Sequence, residues 1–121
     1  MIEHLQQPEG SKTCGHHCIA MIAGISVERV IELIGHDKGT NNHQLQKALK
    51  KLGFNSECRV YKNKKYISPL SILLFKWKKG GHWVVCEDGK IFDPGKPYIY
   101  MFDDKHHKDF GGTLTNHINV W

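Results

Sequence analysis

Gln7-Pro8-Glu9-Gly10-Ser11-Lys12-Thr13-Cys14-Gly15-His16-His17-Cys18-Ile19-Ala20-Met21-Ile22-Ala23 is the stretch on which the fold of this chain turns. A polar, glycine-containing loop delivers Cys14 to the start of a helix built from small and apolar residues. The first N–H groups of a helix lack intrahelical partners, and the aligned peptide dipoles place partial positive charge there. Both effects favour thiolate over thiol, so the position suits a nucleophile. Gln7, seven residues upstream, can bring a side-chain amide beside the sulfur, where an oxyanion forms during acyl transfer. The rest of the chain must then supply a base and a group to orient it, and such partners are distant in sequence.

His82 is the best base. It follows Gly80-Gly81 and opens the strand His82-Trp83-Val84-Val85-Cys86, so its imidazole can point from a sheet edge across a cleft. The competing reading is a strand residue that merely precedes a buried Trp83. Asp93 lies eleven positions on, at the end of the return strand of an Asp88-Gly89 hairpin. Two-residue pairing sets Asp93 opposite Val84, on a diagonal from His82, within reach of the imidazole if the strands twist or bulge. The competing reading of Asp93-Pro94 is a turn start and nothing more.

Around these residues the chain reads as helices first and strands second. A helix over Cys14 to Ala23 is apolar on most sides and therefore central, with Gly24 ending it. Ser26 caps a second helix with Val27, Val30, Ile31 and Ile34 on one face, closed by Gly35. After the turn-rich segment 35–42, Thr40 or an asparagine caps a third helix from about Asn42 to Leu52. There Leu45, Ala48, Leu49 and Leu52 face inward, Lys47, Lys50 and Lys51 face water, and Gly53 terminates. Strands follow at 57–61, 72–77, 82–86 and 90–93, with a turn at 78–81. A short extended piece over 95–101, a charged loop over 103–109 and a last strand ending at Trp121 complete the chain. The fold class is α+β, helices against an antiparallel sheet, in one domain spanning 1–121.

Composition limits the function. Hydrophobic residues at 40% and charged residues at 24% describe a soluble globular chain. The net charge of +5 comes from scattered lysines without a nucleic-acid motif, so a solvated basic face is expected ahead of a nucleic-acid partner. No apolar run approaches the length of a membrane span, and Met1 to Gln6 lacks a signal-peptide pattern, which points to the cytoplasm. Neither metal nor cofactor is expected. Cys14, Cys18, His16 and His17 are close enough to suggest zinc, but Cys58 and Cys86 stand alone and form no second ligand pair. Cys18, Cys58 and Cys86 read as small buried hydrophobes. His106 and His107 belong to the charged loop; His43 and His117 have no identifiable partner.

Gln-x6-Cys-Gly-x-x-Cys-x-Ala-Met resembles the opening of the papain-like peptidase domains fused to bacteriocin exporters, which remove double-glycine leaders, and of their stand-alone relatives. Gly39-Thr40 with Leu45, Ala48, Leu49, Leu52, Gly53 and Phe54 is similar to that family's third-helix segment. Gly81-His82-Trp83-Val84-Val85 with Ile91-Phe92-Asp93-Pro94 resembles its histidine strand and Asp-Pro turn. The likeness covers roughly residues 5–100. It implies Cys14 as nucleophile, His82 as general base, Asp93 as orienting residue and Gln7 as oxyanion donor, acting on a peptide or isopeptide bond of a peptide or protein substrate. Thr13 stands where the family carries an acidic or amide residue, and the glutamine lies one residue further from the cysteine, so Gln6 competes with Gln7. These residues include no transporter domain, so double-glycine leader cleavage does not follow from the resemblance. The alternative is a catalytically silent papain-like module that binds or inhibits.

Overall fold

Among the described residues three α-helices, α1 (Cys14–Ala23), α2 (Val27–Ile34) and α3 (Asn42–Lys51), precede six strands. The strands are β1 (Ser56–Val60), β2 (Leu70–Trp77), β3 (Gly80–Glu87), β4 (Lys90–Phe92), β5 (Ile99–Met101) and β6 (Thr113–Val120). The structure, a computed structural model, describes residues 2–78, 80–102 and 112–121. The expected charged loop with His106 and His107, and parts of the turn at 78–81, lie outside the described residues.

The helix boundaries follow from local chemistry. Ser26 accepts a hydrogen bond from the Arg29 N–H, and Gly24 and Gly35 take the left-handed conformation that ends α1 and α2. Asn41, rather than Thr40, caps α3. Its side chain accepts from the Gln44 N–H while the Gln44 side chain accepts from the Asn41 N–H, which satisfies two orphan donors at once. At the other end Gly53, at φ 93°, lets its N–H reach the Lys50 carbonyl and the Phe54 N–H reach that of Leu49.

Among the described residues all strand pairs are antiparallel, in the order β1-β6-β2-β3-β4-β5. The last strand is therefore inserted between the first and the second. Asp88 and Gly89 both have positive φ, 50° and 81°, the signature of the tight turn whose twist matches the strands it joins. β3 starts earlier than the sequence suggests: Gly80 and Gly81 already pair with Trp77 and Lys76, so His82 is the third residue of the strand. With no side chain, the two glycines add to the ladder without burying anything, which is why they read as turn.

Both faces of the central strands are covered. On one, Ile72, Trp83, Val85, Phe92 and Ile118 meet Cys18, Ile19, Leu45 and Leu49 of the helices. On the other, Leu73, Phe75, Val84, Ile91 and Leu114 gather with Cys86 and Phe102. Two-sided burial accounts for the unbroken apolar run Ile72 to Phe75. Cys18 and Cys86 are buried as expected; Cys58, on edge strand β1, is only half-buried because an edge strand lacks a neighbour on one side.

Candidate active site

Cys14 is the first residue of α1, and its helix has an open N-terminus. The preceding Thr13 makes no capping bond; its hydroxyl pairs with Ser11 instead, at 3.0 Å. Gly15 lets the helix come this close to the sheet. A Cβ on it would lie 2.3 Å from Thr40 Oγ1, 3.0 Å from Leu45 Cδ2 and 3.4 Å from Trp83 Cδ1. Trp83 in turn donates its indole N–H to the Thr40 carbonyl at 3.2 Å. Three segments far apart in sequence thus meet at one glycine, which brings Cys14 to the backbone of β3.

The register Val85↔Phe92 sets Asp93 diagonally across from His82, and the side chains close the gap: His82 Nε2 lies 2.5 Å from Asp93 Oδ1. With Nε2 engaged there, Nδ1 is the ring nitrogen left for Cys14, and the imidazole and the thiol each shift the other's protonation. Asp93 is 1% exposed and also starts a turn. Its Oδ1 accepts the Gly95 N–H at 2.7 Å, and its carbonyl accepts the Lys96 N–H at 3.1 Å. The two sequence readings of Asp93-Pro94 were therefore not exclusive: the turn presents the carboxylate. Two further groups hold Asp93, and the sequence offered no reason to single them out. Tyr100 donates its hydroxyl to Oδ2 at 3.3 Å, and His4 donates Nε2 to the Asp93 carbonyl at 2.8 Å. Gly95 leaves room, since a Cβ there would lie 3.2 Å from Oδ1 and 3.4 Å from the His82 ring.

The electrostatics follow from these contacts. Burial pushes the Cys14 thiol up, but hydrogen bonds from His82 and the Trp83 N–H, the His82 charge and the Gly15 N–H together hold it below its ordinary value. Burial pushes His82 down, yet the bonds to Asp93 and Cys14 and their charges raise it to about 9. Burial raises Asp93 as well; the His82 bond and charge and the Gly95 N–H leave it lowered. Opposite shifts on neighbouring groups favour a thiolate–imidazolium pair over the neutral pair. Cys18, one turn further on, is pushed well up by burial and by the charges of Cys14 and Asp93 and stays a thiol.

Gln7 lies on the same rim, its N–H bonded to the Pro94 carbonyl at 2.7 Å. Its side-chain amide donates to the Ser11 carbonyl and hydroxyl, both at 3.0 Å, while Oε1 is buried without a partner among the described residues. A cleft of about 400 Å³ opens between Gln6, Gln7, Glu9 and Gly10 on one wall and His82 and Gly95 on the other. Among the described residues, no group of three or more His, Cys, Asp or Glu could hold a metal ion. His16 turns its Nε2 to the His36 carbonyl at 2.7 Å and His17 its Nδ1 to the Thr13 carbonyl at 2.8 Å, so both act within the scaffold.

The profile of the peptidase C39 family matches residues 3–115. The chain belongs to this family. Membership makes it a papain-like cysteine peptidase by type. Among solved structures, the peptidase domain of Streptococcus ComA, a bifunctional ABC transporter involved in quorum sensing, is 19% identical with a TM-score of 0.72. That similarity covers 99% of this chain and 98% of the ComA domain. A double-glycine-motif protease from an AMS/PCAT transporter, solved in complex with the leader peptide, is also 19% identical, with a TM-score of 0.76 over 99% of this chain and 91% of that one. At this identity the two structures establish the fold. No curated protein matches the sequence. No helix among the described residues is long and apolar enough to cross a membrane.

Proposed function

We propose that this C39-family chain hydrolyses a peptide or isopeptide bond through Cys14, His82 and Asp93. The observation that carries the reading is the His82–Asp93 contact at 2.5 Å beside Cys14 at the uncapped start of α1, and the lowered Cys14 and raised His82 agree with it. The thiolate of Cys14 attacks the carbonyl carbon; a C–S bond forms and the π pair moves to oxygen. The backbone N–H of Cys14 and the amide of Gln7 stabilise that oxyanion. As the C–N bond breaks, the His82 imidazolium gives its proton to the departing nitrogen and leaves a thioester on Cys14. Neutral His82 then takes a proton from water, hydroxide adds to the thioester, and the C–S bond breaks to return the thiolate. Asp93 holds the ring throughout and stabilises its charged form.

A peptide with two glycines before the scissile bond is the first substrate to test, because one solved relative is described as a double-glycine-motif protease bound to a leader peptide. Cleavage by wild type and none by Cys14→Ala or His82→Ala is the expected result. A second reading, a module that binds peptide without turnover, draws on Gln7, both of whose amide hydrogens face Ser11 rather than a free oxyanion site. Iodoacetamide labelling separates the inactive scaffold from the enzyme with an unsuitable substrate. Labelling of Cys14 no faster than of half-buried Cys58, and indifferent to His82→Ala, refutes the enzyme.

A further inference from the structure

Asp93 is closed off from solvent, and its two carboxylate oxygens are held from opposite directions. Oδ1 takes His82 Nε2 from β3 and the Gly95 N–H from its own turn. Among the described residues the hydrogen bond to Oδ2 comes from the Tyr100 hydroxyl on β5. The registers explain why both arms reach. Val85 pairs with Phe92 and Ile91 with Tyr100, so His82 and Tyr100 each stand on a diagonal from Asp93, on flanking strands and on one face of the sheet. A buried carboxylate bonded through one oxygen still swings about its Cβ–Cγ bond; bonds to both oxygens fix its plane.

β5 itself calls for an explanation. It is an edge strand of three residues, with Ile99 and Met101 turned to solvent at 47% and 64% exposure. It adds little to the core, yet it delivers one hydroxyl to the buried acid. We propose that Tyr100 is a positioning residue for the site, fixing the Asp93 carboxylate in the plane that His82 requires. This rests on the assignment of Cys14, His82 and Asp93 proposed above. Burial, first, and the Asp93 charge push the phenol up, so it remains a neutral donor across the working range of pH.

The test reads His82 directly. In Tyr100→Phe the ring remains and the hydroxyl goes, so the Asp93 carboxylate is held through Oδ1 alone and its bond to His82 loosens. The His82 Cε1–H resonance, assigned by its disappearance in His82→Ala, is expected to titrate near 9 in wild type. In Tyr100→Phe it moves down by about half a pH unit to one unit, the scale of one ordinary hydrogen bond. With a cleaved peptide, kcat falls about 3- to 10-fold on the same scale and KM is unchanged. Met101→Ala, which trims the exposed side of the same strand, leaves the titration where it was and controls for loosening of β5. A titration that stays put or moves up in Tyr100→Phe, or that moves equally in Met101→Ala, overturns the proposal. If instead wild-type His82 titrates near 6.5 and Cys14 labelling ignores His82→Ala, it is the site assignment that fails.

Discussion

Replacing Gly15 by alanine sets two opposing effects against each other, and the structure decides between them. Alanine in a helix is favoured over glycine by about 0.5–1 kcal/mol, and less near an end, so propensity alone makes the variant more stable. The new Cβ, however, would sit 2.3 Å from Thr40 Oγ1 and 3.0 Å from Leu45 Cδ2. Thr40 cannot turn away freely, since its main chain is tied to the Trp83 indole and its hydroxyl is buried. Overpacking of this kind costs about 1–3 kcal/mol. The clash therefore wins by about 1–2 kcal/mol, which for a domain of this size lowers Tm by about 4–8 °C. Because α1 must retreat from β3 to make room, Cys14 leaves the Trp83 N–H and His82, and iodoacetamide labels it more slowly near neutral pH. Thr40→Ala removes the offending oxygen, so Gly15→Ala should be better tolerated in that background by about 1 kcal/mol. Differential scanning fluorimetry and labelling rates on the four members of the cycle supply both readouts. Gly15→Ala equal to or more stable than wild type, or no coupling to Thr40, refutes the close-approach argument.

Other perturbations test other parts of the site. Asp93→Asn removes the charge that raises His82, so its titration falls from about 9 toward the ordinary value and Cys14 labelling slows at neutral pH, both measurable on the resting protein. Gln7→Ala lowers kcat about 100-fold if its amide serves the oxyanion, while Cys14 labelling is unaffected; an unchanged kcat assigns that role elsewhere, with Gln6 the next residue to substitute. Stability should also report the pair. His82 is raised, so its contribution is complete below ~6.5 and lost as pH climbs through about 9; Asp93 is lowered, so its contribution is complete above ~3.9 and lost as pH falls through its folded value. The difference in urea midpoint between wild type and His82→Ala is then largest between about pH 4 and 6.5 and shrinks on both sides, whereas a difference independent of pH contradicts a charged pair.

Much of the local structure was written in residue types. Ser26, Gly35, Gly53 and Asp88-Gly89 each do what their chemistry prescribes, because a cap or a two-residue turn is satisfied by neighbours in the chain. The choice between Thr40 and Asn41 as the cap of α3 was not legible, since both residues can accept from an N–H. Packing settles it: Thr40 lies beneath Gly15, which leaves Asn41 to cap. The edges of β3 were missed for a similar reason, as Gly80-Gly81 suits a turn by propensity and becomes strand only when paired with β2.

The site divides along the same line. Sequence alone determined which residue types could carry acyl transfer and in what order: a cysteine opening a helix, a histidine on a strand, an aspartate before a proline, a glutamine upstream. It also determined the hairpin phase that puts His82 and Asp93 on one diagonal, because Asp88-Gly89 counts the residues on either side. What only the tertiary structure decided is everything that depends on contact between distant segments. The insertion of β6 between β1 and β2, the seating of Gly15 against Thr40 and Trp83, the His4 bond to the Asp93 carbonyl and the reach of Tyr100 to its second oxygen have no local cause. The physical reason is that a hydrogen bond or a van der Waals clash acts over a few ångströms of space, whatever the separation along the chain.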